Sequence, residues 1–206
     1  DGVSVAANAA LNSAGSMLKA GGGVLRTGSA SLTARGDIGS GAVSGSLDID
    51  VTSLDAESGT GLFGNIFITA VDTVSANGLT LRLINSNDGA GSIDIGTTNG
   101  DLRDGNGAGL NLMGSSVGVR AGRHIGFDGT TVDALETQAG VLGVTAGTSA
   151  TPCGDIYIDE LDDVGLSAII ADAGAGAIGI TTGGAAGDIT DANGTAMNLR
   201  GSPGTL

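Results

Sequence analysis

The chain alternates apolar and polar residues in short segments, and the clearest segment occurs twice. Gly64 to Val74 (GNIFITAVDTV) returns as Gly154 to Val164 (GDIYIDELDDV), with isoleucines kept at the same alternate positions. Alternation with a period of two is typical of β-strands, whose successive side chains point to opposite faces. The pattern therefore predicts a set of inward-facing isoleucines, namely Ile66, Ile68, Ile93, Ile95, Ile156, Ile158, Ile178 and Ile180.

Further matches indicate a repeated unit of 87 residues. The segment DLRDGNGAGLNLMG at 101–114 matches DITDANGTAMNLRG at 188–201, an offset of 87 in the numbering (188 − 101). Leu79–Leu83 aligns in the same unit with Leu166–Ile170. We therefore divide the single predicted domain, 1–206, into a partial unit at 1–21 and two full units at 22–114 and 115–206.

One substitution between the units predicts where a strand ends. Ala70 of the first unit is replaced by Glu160 in the second. A carboxylate left unpaired in an apolar core carries a large free-energy cost. We therefore expect this strand to end near residue 158 and a corner to follow.

The turn residues indicate the fold class. The chain contains 40 glycines, many of them in Asn-Gly and Asp-Gly pairs, which supply the positive φ angles of tight corners. Short strands repeated in tandem predict an all-β fold, a parallel β-helix (β-solenoid) built from the 87-residue repeats. We expect about 20 to 30 residues per coil and about seven to ten coils, stacked about 4.8 Å apart.

The charge balance excludes two classes of partner. There are 22 acidic and 8 basic residues, which give a net charge of −14, and the basic residues form no cluster. Nucleic acids and anionic membrane surfaces both require a cationic patch. No stretch approaches the roughly 18 apolar residues that a membrane span needs. We therefore expect no nucleic-acid partner and no membrane insertion.

Two segments carry a resemblance to a known family. At GDIYIDELDDVGLSAI (154–169) and AIGITTGGAAGDITDANGTAMNL (177–199) the chain resembles the filamentous-haemagglutinin-like and related giant, repeat-built surface adhesins of bacteria. The similarity lies in I-x-I strands and in GDI and D-x-x-G corners, and it covers nearly the whole chain. It implies a right-handed parallel β-helix that serves as an extracellular shaft at the bacterial cell surface.

The acidic residues offer one candidate metal site. Asp159, Glu160, Asp162 and Asp163 form the best candidate for Ca²⁺, because carboxylate oxygens are its preferred ligands. Neither the glycine-rich nonapeptide nor the EF-hand spacing occurs, so a solvated acidic face is the favoured interpretation. No other cofactor is expected, since the single His124 and the single Cys153 leave zinc and copper without a set of ligands.

Two classes of function fit these features. The leading hypothesis is an extracellular structural or adhesive rod without enzymatic activity, a filament subunit or a shaft segment. The alternative is a carbohydrate-binding or polysaccharide-cleaving β-helix with surface glycans as partners. Sugar sites commonly use aromatic side chains, so outward-facing and adjacent Phe67 and Tyr157 would favour the alternative.

The ends of the rod are the predicted assembly surfaces. Terminal strand edges of a solenoid promote pairing with another chain unless they are capped, and no cap sequence is recognisable. We expect end-to-end contacts through Val3 and Val5 at one end and Met197 and Leu199 at the other. The partners would be copies of the chain itself or flanking repeats of a longer chain.

Overall fold

The computed structural model confirms the all-β class and the parallel β-solenoid, with about seven turns of roughly 24 residues. It describes residues 7–41, 45–59, 64–71, 78–127, 130–148, 154–171, 176–183 and 187–201. A short 3₁₀ helix spans Asn87–Gly89. The strands are β1 (Asn8–Ser13), β2 (Val24–Arg26), β3 (Ser29–Ala34), β4 (Leu47–Asp50), β5 (Ser53–Ser58), β6 (Ile66–Ala70), β7 (Gly78–Ser86), β8 (Ser92–Thr97), β9 (Asp101–Asp104), β10 (Leu112–Arg120), β11 (Leu135–Ala146), β12 (Ile156–Glu160), β13 (Val164–Ala171), β14 (Ile178–Thr182), β15 (Ile189–Asp191) and β16 (Leu199–Arg200).

Parallel pairing arranges these strands in two ladders. In the first ladder β1, β3, β5 and β7 are followed by β9 with the first part of β10, the first part of β11, β12 and β14. In the second ladder β2, β4, β6 and β8 are followed by the second part of β10, the second part of β11, β13, and β15 with β16. Strands β10 and β11 therefore continue from one ladder into the other.

The core lies between the ladders and consists of short aliphatic side chains. Ile66, Ile68, Ile93, Ile95, Ile156 and Ile158 are buried, as their alternation predicts. Ile178 and Ile180 are only partly buried, although they pack against the same core. They belong to β14, which among the described residues pairs only with β12, so that one side of this strand lacks a covering turn.

The 87-residue repeat corresponds to three and a half turns, not to a whole number of turns. The repeated strands show this directly, because β6 lies in the second ladder and β12 in the first. Between them the chain passes through β7, β8, β9 with the first part of β10, the second part of β10, and the two parts of β11, which requires seven changes of ladder. Equivalent residues of the two units therefore lie on opposite sides of the rod.

Isolated β-bridges show the same half-turn relation between the two units. Ile38 pairs with Met17 and Ile66 in the second ladder, whereas its counterpart Ile125 pairs with Leu102 and Ile156 in the first. Met17 thus occupies in the second ladder the position that Leu102 occupies in the first.

The alignment of β7 with β13 differs by two residues from the sequence alignment. Leu81 pairs with Asp104, and Leu166 pairs with the counterpart Asp191. Leu81 therefore corresponds to Leu166, and Leu79 corresponds to Val164 instead of Leu166. The pairing register shifts just after Leu81 in one strand and just after Leu166 in the other. Such a bulge interrupts the alternation of inward-facing and outward-facing residues. The alignment of the two units, which relied on that alternation, is therefore two residues out of register here.

Two corners require glycine for both conformation and space. Gly39 and Gly126 follow the bridged isoleucines, and their φ angles are 73° and 66°. A Cβ atom at Gly39 would lie 2.1 Å from the carbonyl oxygen of Phe67, and one at Gly126 would lie 2.2 Å from that of Tyr157. Any other residue at these corners would be strained and would push the neighbouring turn away.

Candidate functional site

The predicted calcium ligands do not face the same way. Strand β12 continues to Glu160, two residues beyond the expected end, and the inward alternation continues with it. Glu160 is fully buried in the core, whereas Asp159, Asp162 and Asp163 are exposed on the outside. The prediction of a strand end near 158 is therefore wrong, because the buried carboxyl group has partners that the local sequence does not reveal.

Those partners lie on the preceding turn. Thr137 donates a hydrogen bond from Oγ1 to Oε2 of Glu160 at 2.6 Å, and the backbone N–H of Ala139 donates to Oε1 at 3.0 Å. Burial away from water raises the pKa of Glu160 to about 7, against the opposing effect of these hydrogen bonds. The carboxyl group therefore binds a proton much more strongly than an exposed glutamate does.

A metal-binding group is not formed by the described residues. No set of three or more His, Cys, Asp or Glu side chains in that part of the chain is placed to hold an ion. Cys153 lies outside the described residues. His124 is buried at the start of a corner, where its Nδ1 accepts a hydrogen bond from the backbone N–H of Asp155 at 3.2 Å. Its counterpart Asp37 accepts the equivalent hydrogen bond from the backbone N–H of Asn65. The two side chains therefore have the same structural role at equivalent corners.

The predicted assembly residues are described at one end only. Val3 and Val5 lie outside the described residues, whereas Met197 and Leu199 have exposed fractions of 71% and 52%. Leu199 belongs to β16, which pairs with Ile169 of β13 along one edge. Within the described part of the chain, β14, β15 and β16 have partners on that side alone. Among the described residues, the last turn therefore has no strand paired to its other edge in either ladder.

The two outward aromatic residues are not adjacent. Phe67 lies on the outer face of the second ladder and Tyr157 on that of the first, as the half-turn relation requires. The criterion that would favour a continuous carbohydrate groove is thus not met. Tyr157 packs beside Phe127, with ring centroids 5.9 Å apart, whereas Phe67 borders a cavity of about 300 Å³.

A buried acidic residue that sequence reasoning missed is Asp101 at the start of β9. Its carboxylate is fully buried and is reached by Arg103 Nη2 at 2.7 Å and Arg123 Nε at 3.7 Å. The backbone N–H of His124 also donates to it at 3.2 Å. Its counterpart Asp188 is exposed. The arginine spacing in the sequence gives no sign of this cluster, because Arg123 comes from the next turn.

The negative charge is unevenly distributed along the axis. Residues 1–123 contain 11 acidic and 7 basic residues, a net charge of −4, whereas residues 124–206 contain 11 acidic residues and one basic residue, a net charge of −10. Turns of a solenoid follow one another in chain order, so the later turns are much more acidic than the earlier ones. Two such acidic ends repel each other.

Comparison with known proteins identifies no relative. No protein family, no curated protein and no solved structure matches this chain. Among the described residues, no helix has the length and hydropathy needed to cross a membrane.

Proposed function

We propose that this chain is a structural rod of a bacterial surface protein, which extends by stacking its last turn against the first turn of a second copy. The open edge of β14, β15 and β16 carries the proposal. Within the described residues these strands have partners on one side alone. They carry the partly buried Ile178 and Ile180 and the exposed Leu199, which are in register with the buried Ile156, Ile158 and Ile169 of the preceding turn. A further parallel turn would satisfy the backbone groups and bury these side chains.

The charge distribution supports one polarity of contact. The strongly acidic later turns repel each other, so contact between two identical last turns is disfavoured. The earlier turns carry less negative charge, and there Lys19 and Arg26 of the first turn neutralise Asp48 and Asp50 of the second. Head-to-tail stacking therefore encounters less repulsion than the alternative. The resemblance in strand and corner motifs supports an extracellular, cell-surface location for such a rod.

Imaging of the native material, together with one pair of variants, tests the proposal. Head-to-tail stacking predicts thin filaments with a rise of about 4.8 Å per turn along the axis. Leu199→Asp places a carboxylate on the open edge and should abolish filaments while the fold is retained. Leu83→Asp, also at an exposed leucine but on the side of the rod, should leave filaments intact.

Two results would contradict the proposal. The first is a population of single-chain particles for the wild-type protein. The second is filament formation by Leu199→Asp equal to that of Leu83→Asp. If the rod is instead continued by flanking repeats of a longer chain, the native particle will have the mass of that longer chain and no free junction between copies.

A further inference from the structure

The cavity beside Phe67 lies on the outer face of the second ladder. Its volume is about 300 Å³, and its walls include Ser40, Ser46, Phe67, Thr69, Asp94 and Arg120. These residues come from four successive turns of the solenoid. The cavity therefore combines one aromatic ring with three hydroxyl groups and one pair of opposite charges.

The ladder register explains why this face is open. Phe67 pairs with Asp94, which pairs in turn with Gly118, and Thr69 pairs with Gly96, which pairs with Arg120. The two glycines bring no side chain to the outer face. The side chain of Arg120 lies across Gly96, so that a Cβ added at Gly96 would be 3.1 Å from the Cβ of Arg120. The Nη2 of Arg120 lies 2.7 Å from Oδ1 of Asp94.

The second unit contains the same position in a filled form. Tyr157 replaces Phe67, and the ring of Phe127 packs against it and against His124, with centroid distances of 5.9 and 5.0 Å. Residue 127 minus the repeat length of 87 is residue 40, so Ser40 stands where the second unit has Phe127. The first unit thus keeps one aromatic ring, that of Phe67. It has the small side chain of Ser40 where the second unit has the ring of Phe127.

We propose that the Phe67 cavity binds one pyranose ring of a neutral saccharide. The apolar C–H face of such a ring matches the Phe67 side chain in size, as the ring of Phe127 matches Tyr157. Its hydroxyl groups both donate and accept, which suits Asp94, Arg120, Ser40 and Thr69. An anionic ligand fits poorly, because Arg120 is already neutralised by Asp94 and the whole chain carries a charge of −14.

This inference goes beyond the proposed structural role and does not depend on it. The cavity is on the side of the rod, whereas stacking uses the open edge of the last turn. A rod that presents a sugar site on its side acts as an adhesin, and the half-turn repeat restricts the site to one side.

Ligand-observed NMR on the full chain tests the site. The probes are the methyl glycosides of glucose, galactose, mannose and N-acetylglucosamine at millimolar concentration, since a single ring in a shallow site binds weakly. Ser40→Phe restores the residue found in the second unit and should lower the affinity at least about tenfold. Asp94→Asn, at a partly exposed position, should weaken binding without changing the fold.

The control variant is Phe127→Ser, which changes the opposite side of the rod and should leave the affinity unchanged. Lack of binding of all four glycosides to the wild-type protein would overturn the proposal. Wild-type affinity in a folded Ser40→Phe and in Asp94→Asn would overturn it as well. Filament formation is measured on the same samples, so failure of the sugar site is distinguishable from failure of the stacking proposal.

Discussion

Thr137 and Glu160, on successive turns of the first ladder, form a hydrogen bond of 2.6 Å inside the strand stack. The same column holds Leu32, Ala56, Ile84 and Leu112 in the earlier turns. A pair of polar residues thus replaces aliphatic packing at this point of the core. On the following turn Glu160 is in register with Thr182, and the charge of the exposed Asp162 adds to the rise that burial causes in the pKa of Glu160.

The stability of the protein should fall as the pH rises from about 4.5 to about 7. Burial raises the pKa of Glu160 from 4.5 to about 7, so the folded state binds the proton more tightly than the unfolded state does. Its stabilising contribution is complete below the unfolded pKa and is lost as the pH passes through the folded pKa. Within this window the loss is on the order of 1 kcal/mol per pH unit.

Glu160→Gln should remove this dependence, because an amide of the same shape does not titrate. Denaturant unfolding of both proteins at pH 4.5 and pH 8 measures the effect. We expect the variant to gain stability relative to the wild type at the higher pH. An identical pH profile for the two proteins would show that Glu160 reaches water in the folded state.

Ile156→Asp should open the solenoid locally. The side chain is fully buried, and its neighbours in register are Ile125 and Ile178, which offer a carboxylate no hydroxyl group. The expected loss is several kcal/mol, and proteolysis should spread to neighbouring turns, since each turn supports the next. Leu161→Asp, at an exposed leucine five residues later, is the control. Equal protease resistance of the two variants would contradict the inward assignment.

Gly39→Ala should destabilise the corner before β4. The residue has a positive φ angle, and its Cβ would collide with the backbone of Phe67. We expect a loss of at least about 1–3 kcal/mol from backbone strain alone. Gly22→Ala is the matched control, because nothing lies within 4 Å of its Cβ and its φ is not positive; it should change stability by less than about 1 kcal/mol. Thermal unfolding of both variants decides the matter.

Asn111→Ala should cost more than the equivalent Asn198→Ala. Asn111 is fully buried, donates to the carbonyl of Leu81 at 3.0 Å and accepts the backbone N–H of Glu136 at 2.9 Å. Asn198 donates to the carbonyl of Leu166 at 2.7 Å but lies in the partly exposed last turn. We expect a loss of about 1–3 kcal/mol for each buried group left unpaired. The unfolding free energies of both variants are measured on single chains, where the last turn is not covered by a second copy. Equal values for the two variants would contradict the prediction.

The sequence predicts the core well because inward residues must alternate. The isoleucines of β6, β8 and β12 are buried for the reason that their pattern implies. It does not predict the number of ladders, since a period of two is the same in every strand. The half-turn relation therefore emerges only from the pairing of β6 and β12 with different neighbours.

The candidate sites are harder to predict because their partners are distant in the chain. Thr137 is 23 residues from Glu160, and Arg123 is 22 residues (123 − 101) from Asp101, one turn away in each case. Residues one turn apart are in contact, yet the turns differ in length, so the spacing cannot be inferred from the sequence alone. The cavity beside Phe67 was missed for a related reason. The cavity depends on the small side chain of Ser40. The importance of that residue becomes visible only by comparison with the second unit, where Phe127 occupies the equivalent position and packs against Tyr157.

A duplication of whole turns would have repeated each outer surface above itself and lengthened a single binding face. Because this unit ends half a turn out of phase, the outer face of the second copy points to the opposite side of the rod. The two copies therefore share no common outer surface, and a substitution selected on one outer face leaves the other unaffected. Each flank can then change independently while the common interior stays constrained. Phe67 with its open neighbour and Tyr157 with its filled one are what such independent divergence produces.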